Sequence, residues 1–197
     1  MPRHLIAPLC ALALIALFPL SGATFYVELT TKIMIMAIFA LSLDLLVGWT
    51  GLVSFGHAAF FGVGAYALAL LSPKAAAAGL WSSLWLAIVA AALCALVVGI
   101  FVLRTRGIYF IMVTLAFAQM FYFVFHDTDF GGGSDGRYVN LKPDASIFGF
   151  VPFDLDKPNQ IYYVVLAVLV LVFAFRQMGL RSPFGRALQG IKANEQR

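Results

Sequence analysis

The sequence predicts an all-α integral membrane protein, a polytopic bundle of about six transmembrane helices. Of the 197 residues, 62% are hydrophobic and only 11% are charged, whereas soluble domains carry roughly 25% charged residues. The apolar residues form runs close to the roughly 20 residues that a spanning helix needs. The charged residues fall mostly between these runs, where they mark connecting loops.

Charged residues divide the chain into the predicted spans. In order, these are Leu5–Leu20, Ile33–Gly48, Leu52–Leu71, Ala75–Leu103, Gly107–Phe125 and Ile161–Phe175. Lys32 is expected at the mouth of the second span, and Arg104 ends the fourth. The first run, between Arg3 and the small residues after Leu20, is also typical of a secretory signal. We favour a retained helix because further spans follow directly.

The distribution of basic residues predicts the orientation. With both ends of the chain in the cytoplasm, the inner segments hold eight Lys and Arg residues and the outer segments hold five. Cytoplasmic loops of membrane proteins carry this excess. Residues 126–160 form the predicted extracytoplasmic loop, which is acidic with six Asp residues. Residues 176–197 form a basic cytoplasmic segment.

The sequence argues against an enzyme. Its three His and two Cys residues lie in separate segments without metal-ligand spacing, so we expect no catalytic residue, cofactor or metal. The glycine-rich loop at residues 131–137 lacks the Gly-Lys-Ser/Thr ending of a nucleotide-binding loop. Calcium binding by Asp127, Asp129 and Asp135 is an alternative that requires six to eight oxygen ligands, roughly. A flexible loop that docks a partner is the preferred interpretation.

Glycines are concentrated around the third span. Each weakens a helix by about 1 kcal/mol relative to alanine, which argues against a long regular helix here. Two compatible interpretations follow: a broken segment that lines a pathway, and close packing against neighbouring helices. The candidate translocation or packing residues are Asp44, Gly48, Gly51, Ser54, Gly56, His57, Gly62 and Gly64.

Asp44 is the one acidic residue within a predicted span. A carboxylate in hydrocarbon is costly, so Asp44 should face the bundle interior or an interface. One interpretation is a hydrogen-bonded network with Thr50, Ser54 or His57. The other is a pathway or proton-relay role, in which Glu28 and His57 would complete the titratable groups of a proton-coupled transporter.

The tail after the sixth span predicts a short amphipathic helix. Ser182 and Pro183 are typical of an N-cap followed by proline at the first helical position. Apolar residues then recur at helical spacing from Phe184 to Ile191. This helix could lie on the membrane surface or dock another protein, and periodicity does not distinguish the two.

Three segments, in order, resemble branched-chain amino acid ABC permeases of the LivM type. The first is residues 40–60, ALSLDLLVGWTGLVSFGHAAF; the second is the outer Gly-Gly-Ser-Asp-Gly element; the third is residues 182–195, SPFGRALQGIKANE. The outer element comprises Gly132, Gly133, Ser134, Asp135 and Gly136. The likeness covers about residues 30–197.

The resemblance implies a permease subunit of a bacterial inner-membrane importer. Its partners would be a second permease, cytoplasmic ATPase subunits and a periplasmic substrate-binding protein. The tail would couple the permease to the ATPase through Ser182, Pro183, Phe184, Gly185, Arg186, Leu188, Ile191, Asn194 and Glu195. Since the family continues through further spans, residues 1–197 are expected to be the N-terminal part of one permease domain, truncated after this motif.

Other function classes are kept as alternatives. A urea or amide ABC permease is a close relative of the predicted family. A proton-coupled secondary transporter would depend on Asp44 or His57. A membrane scaffold that transports nothing would show no dependence on substrate.

Overall fold

The computed structural model describes residues 15–71, 79–105, 107–137, 143–145, 154–155, 157–183 and 185. Five α-helices make up most of these ranges: α1 (Thr24–Leu45), α2 (His57–Leu71), α3 (Leu80–Val102), α4 (Ile108–His126) and α5 (Pro158–Arg181). Short 3-10 helices cover Phe18–Ser21 and Gly133–Asp135, and a π-helical turn covers Leu46–Thr50. Within these ranges the extended pairing is one isolated bridge between Gly79 and Asp144.

Four of the helices are long and apolar enough to cross a membrane, which confirms the predicted polytopic helix bundle. At about 1.5 Å per residue, the 22 residues of α1 extend about 33 Å, against a hydrocarbon core of about 30 Å. Large apolar side chains on the helix flanks, such as Phe25, Leu93 and Leu171, are exposed. A bilayer would cover these flanks, so the protein is a multi-pass membrane protein.

Two predicted span boundaries are wrong because charged residues do not end the helices. The second span was expected to start at Ile33, but α1 starts at Thr24 and contains Lys32, whose exposed side chain is long enough to reach the interface. The sixth span was expected to end at Phe175, but α5 continues to Arg181. Arg176 is tolerated there because its guanidinium forms an ion pair with Asp44.

The other predicted spans lie closer to the observed helices, with one correction. The fifth prediction matches α4 within one residue at each end, and the fourth encloses α3. The third span was expected to start at about Leu52, but its helix, α2, starts only at His57. Most of the first predicted span lies outside the described residues, which begin at residue 15.

The first helix pair, α1 and α5, packs around the buried side chains of Val27, Met34, Tyr162 and Leu166. The hydroxyl of Tyr162 donates to the carbonyl of Ile15. The N-terminal halves of the two helices meet in this cluster, and their C-terminal ends meet at the Asp44–Arg176 pair. The two helices therefore run parallel, as expected for two spans that leave the same side of the membrane.

The second group contains α2, α3 and α4, which pack against one another. Its buried cluster is Val98, Val102 and Phe110, with Leu52 and Phe60 packed against it. At the start of α3, the backbone N–H of Leu80 donates to the carbonyl of Asp144 at 2.7 Å. Segments of the long acidic loop therefore contact the end of the bundle opposite to the Asp44–Arg176 pair.

Candidate functional site

The regular α-helical structure is interrupted between α1 and α2. We call the interrupted segment, residues 46–56, the glycine-rich break. The π-helical turn Leu46–Thr50 ends at Gly51, whose φ of 74° lies in the left-handed region that glycine adopts without steric cost. The N–H of Gly51 donates to the carbonyl of Val47 at 3.1 Å. The following residues, through Gly56, are not helical.

This irregular backbone is held against α4 by Thr114. The N–H of Phe55 donates to the hydroxyl of Thr114 at 3.2 Å, and the N–H of Gly56 donates to the hydroxyl of Ser54 at 3.3 Å. A Cβ atom on Gly56 would lie 2.7 Å from the Thr114 carbonyl oxygen. Irregular backbone at membrane depth requires such internal partners. The segment is therefore both broken and closely packed.

The remaining glycines of the predicted set are less constrained. Gly48 lies beside Asp44, and a Cβ there would be 3.3 Å from the carboxylate. A Cβ on Gly64 would make an ordinary contact at 3.9 Å, and one on Gly62 would meet no described atom within 4 Å. Tight packing is thus concentrated at Gly56.

His57, the first residue of α2, joins α2 to α1. Its Nε2 lies 2.8 Å from the hydroxyl of Ser42, and its ring centroid lies 5.2 Å from that of Phe39. Beside this pair is an apolar cavity of about 310 Å³, lined by Ile35, Ile38, Phe39, Ser42, His57, Phe60 and Phe61. Its walls suit a small aliphatic group, and Ser42 and His57 supply hydrogen-bonding atoms.

A second cavity, of about 290 Å³, lies between α2 and α4. Small residues form one wall and aromatic rings form the other: Ala58, Ala59, Gly62, Tyr66, Ala118, Phe121, Tyr122, Phe125 and His126. Tyr66 stacks on Phe125 with centroids 4.3 Å apart. The lining begins at Ala58 and Ala59, directly after the break, and ends at Phe125 and His126.

Asp44 does not form the expected network with Ser54 or His57. Its carboxylate forms an ion pair with Arg176 of α5, while Ser54 and His57 have the partners given above. The side chain of Thr50 lies outside the described residues. The correction has a physical cause: an opposite charge from another span neutralises a carboxylate in the membrane more effectively than neutral hydroxyl groups do.

The start of the tail is folded onto the end of α5. The hydroxyl of Ser182 accepts a hydrogen bond from the N–H of Gly185 at 3.1 Å, which is the N-cap bond expected from the sequence. Gly185 is buried, and a Cβ there would collide with the carbonyl of Gly179. The predicted residues Phe184, Arg186, Leu188, Ile191, Asn194 and Glu195 lie outside the described residues.

The Gly-Gly-Ser-Asp-Gly element forms a turn at the end of α4. Gly132, Gly133 and Gly136 have φ values of 90°, 67° and 67°, and Ser134 and Asp135 are exposed in the 3-10 helix between them. The preceding Gly131 leaves no space for a side chain beside the Phe125 carbonyl. Across the described residues, no group of three or more His, Cys, Asp or Glu side chains converges.

Sequence reasoning missed three residues that organise the site: Ser42, Thr114 and Arg176. Arg176 was interpreted as the end of a span, although an acid within another span was a signal for a basic partner. Ser42 and Thr114 carried no signal, because a lone hydroxyl in an apolar helix usually bonds its own backbone. Thr114 does so as well, donating to Ile111 at 2.9 Å.

Comparison with known proteins gives a consistent result. The family model described as the permease component of the branched-chain amino acid transport system matches residues 25–197. LivM of Salmonella typhimurium, a high-affinity branched-chain amino acid transport system permease protein, is 30% identical over 210 aligned residues, which cover 95% of this chain and 48% of that protein.

LivM of Escherichia coli K12 is also 30% identical, over 191 residues that cover 86% of this chain and 44% of that protein. The chain thus spans about half the length of the curated relatives that it matches. No solved structure matches the chain.

Proposed function

Since the chain belongs to the family of branched-chain amino acid transport permease components, we propose that it forms part of the permease of an ABC importer. This importer moves branched-chain or related amino acids into the cytoplasm, and separate subunits hydrolyse the ATP. The observation that carries the proposal is the family match over residues 25–197. The glycine-rich break supports it, because transporters place irregular backbone along their pathways.

The proposal assigns roles to the two ends of the bundle. The glycine-rich break and His57 belong to the translocation region, and the tail docks an ATPase subunit. The outer Gly132–Gly136 turn faces a substrate-binding protein, and a second permease completes the pathway. The protein lies in the bacterial inner membrane, with both ends of this sequence in the cytoplasm.

The pairing of the titratable groups favours the ABC mechanism over proton coupling. Asp44 is paired with Arg176, and His57 with Ser42. A proton carrier must gain and lose its proton during each cycle, whereas Asp44 and His57 are each held in a contact between two helices. This arrangement suits a structural role for Asp44 better than a relay role.

The first test is uptake of labelled leucine by cells that express the permease with its partner subunits. Cellular ATP is kept high, and a proton uncoupler is added to half of the samples. We expect uptake to survive the uncoupler and to be absent without the ATPase subunits. Uptake abolished by the uncoupler would favour the proton-coupled alternative. Uptake of labelled urea instead of leucine would favour the amide permease.

Orientation is tested with two exposed positions at opposite ends of the bundle. Ser134→Cys lies in the outer turn and Arg104→Cys follows α3. In intact cells, we expect a membrane-impermeant maleimide to label Ser134→Cys and to spare Arg104→Cys. The reverse pattern would invert the proposed topology. Labelling of the parent protein, which contains Cys10 and Cys94, is the background control.

The docking role of the tail is tested at two polar positions. We expect Arg186→Ala and Glu195→Ala to weaken substrate-stimulated ATP hydrolysis and to leave membrane insertion intact. An unchanged stimulated rate in both variants would contradict docking through these residues.

A further inference from the structure

We propose that the ion pair between Asp44 and Arg176 transmits movement of the tail to the glycine-rich break. In this view both are positioning residues: they contact no substrate, but they hold two helix ends together so that the ATPase and the pathway move as one mechanical unit. The inference rests on the proposed function and adds to it the connection between the two regions.

The position of the pair is the first argument. Asp44 is in the last turn of α1, directly before the π-helical turn that opens the break. Arg176 is near the end of α5, whose last residue, Arg181, precedes the tail. Both lie about one turn inside the ends of their apolar spans. One contact therefore joins the helix that leads into the break to the helix that leads into the tail.

The second argument is that α1 and α5 are fixed to each other at two separate levels. The buried cluster containing Met34 and Leu166 holds their first halves together. Asp44 and Arg176 each lie about 15 Å farther along their helices, at about 1.5 Å per residue. Two points of attachment prevent one helix from pivoting on the other, so a displacement of the end of α5 is imposed on the end of α1.

The described start of the tail is bonded to the end of α5. Ser182 bonds both sides of the junction: its hydroxyl donates to the carbonyl of Gly179 at 2.7 Å and accepts from the N–H of Gly185. Gly185 is packed onto the same carbonyl, without space for a side chain. A force on the tail is therefore passed to the last turn of α5.

The break is also bonded to the second helix group, which contains α2, α3 and α4. From Asp44 the chain passes through the π-helical turn to Phe55 and Gly56, which are held against Thr114 of α4. The contact between Ser42 and His57 adds a link from α1 to α2. Movement of the end of α1 therefore reaches the group formed by α2, α3 and α4 through the break.

Charge is what makes the pair suited to this role. Removing one member leaves the other charge without its partner inside an apolar span, where a lone charge is costly. Nε of Arg176 is buried and has no hydrogen-bond partner among the described residues, and Nη2 of the same guanidinium donates to the carboxylate of Asp44. The pair therefore stays together while α1 and α5 move.

The experiment uses the importer assembled with its partner subunits in proteoliposomes. ATP hydrolysis is measured with and without the leucine-loaded binding protein, and leucine uptake is measured in parallel. The variants are Asp44→Asn, Arg176→Gln, Arg176→Lys and the exchanged pair, Asp44→Arg with Arg176→Asp. Glu28→Gln is the matched control, because Glu28 is an exposed acid on the same helix.

We expect Asp44→Asn and Arg176→Gln to keep basal hydrolysis and to lose about tenfold in stimulated hydrolysis and uptake, a typical size for coupling between sites. Arg176→Lys, which keeps the charge and changes the geometry, should lose less. The exchanged pair should recover part of the loss, and Glu28→Gln should match the parent protein.

Two results would overturn the inference. One is full stimulation in Asp44→Asn and Arg176→Gln. The other is evidence that the pair acts in folding alone. Such evidence would be a proportional fall of basal and stimulated hydrolysis, or a loss of folded protein that the exchanged pair does not restore. Failure of the parent protein to take up leucine with ATP is a separate outcome, which contradicts the proposed function itself.

Discussion

Gly56 is the position at which the smallest change should have the largest effect. Replacing it with alanine adds one methyl group, which would lie 2.7 Å from the carbonyl oxygen of Thr114 and 3.3 Å from its Cβ. Carbon atoms in proteins normally approach to about 3.5–4.0 Å. The nearest atom belongs to backbone within α4, so a side-chain rotation cannot relieve the collision, and either the break or α4 must shift.

The cost has two parts. Overpacking of a close contact costs about 1–3 kcal/mol. A shift of the break also weakens the bond from the Phe55 N–H to Thr114, which is 3.2 Å long and contributes about 0.5–1.5 kcal/mol. Reduced freedom of the unfolded chain returns about 0.4–1 kcal/mol. We therefore expect Gly56→Ala to lower the free energy of unfolding by about 0.5–4 kcal/mol.

The assay is unfolding of the purified permease in mixed micelles by titration with sodium dodecyl sulfate, followed by far-ultraviolet circular dichroism. Gly99→Ala is the matched control, because Gly99 lies within α3 and a Cβ there would meet no described atom within 4 Å. In a helix interior this change should stabilise by up to about 1 kcal/mol.

A Gly56→Ala variant as stable as the parent protein, or as stable as Gly99→Ala, would refute the close approach of the break to α4. A destabilised variant with normal leucine uptake would keep the packing argument. It would, however, contradict the proposal that the break takes part in transport.

Three further substitutions test neighbouring contacts. Thr114→Val should destabilise the protein by about 1–3 kcal/mol because it leaves the Phe55 N–H unpaired. Thr114→Ser keeps the hydroxyl and should be close to the parent protein in the same titration. Equal losses of stability in the two variants would contradict the hydrogen bond from Phe55 to Thr114. Ser42→Ala should cost about 1 kcal/mol by removing the partner of His57, and an unchanged midpoint would show that this contact adds no net stability. Gly185→Ala should collide with the last turn of α5 and lower substrate-stimulated ATP hydrolysis in the assembled importer; a normal stimulated rate would argue that the tail joins α5 differently.

The sequence was sufficient to predict the membrane bundle and most spans, because an apolar run of about 20 residues has few alternatives to a spanning helix. It was less reliable where a charge lay inside a helix. Lys32 and Arg176 were taken as boundaries, yet α1 and α5 continue through both. A single charge inside a helix is tolerated when its side chain reaches the interface or finds an opposite charge, and neither condition is visible in local composition.

The sequence indicated that the helix is interrupted, but it did not indicate which segment packs against the break. The density of glycines around Gly51 and Gly56 indicated that a regular helix would not persist, and α2 indeed begins only at His57. The surface that receives Gly56 is the backbone of α4 at Thr114, far along the chain. A pattern of small residues indicates that a close contact exists, but its partner is fixed by the three-dimensional packing of the helices.

The Asp44–Arg176 pair has a consequence for biosynthesis. Its members are separated by 132 positions in the chain, and a ribosome adds about 5–20 residues per second. Asp44 is therefore inserted about 7–26 s before its partner has been synthesised. During that interval α1 is held in the membrane without its neutralising charge, and its C-terminal turn must remain near the water interface or be shielded by the insertion machinery. The arrival of α5 supplies this charge, so the order of synthesis makes the last described helix the one that stabilises α1.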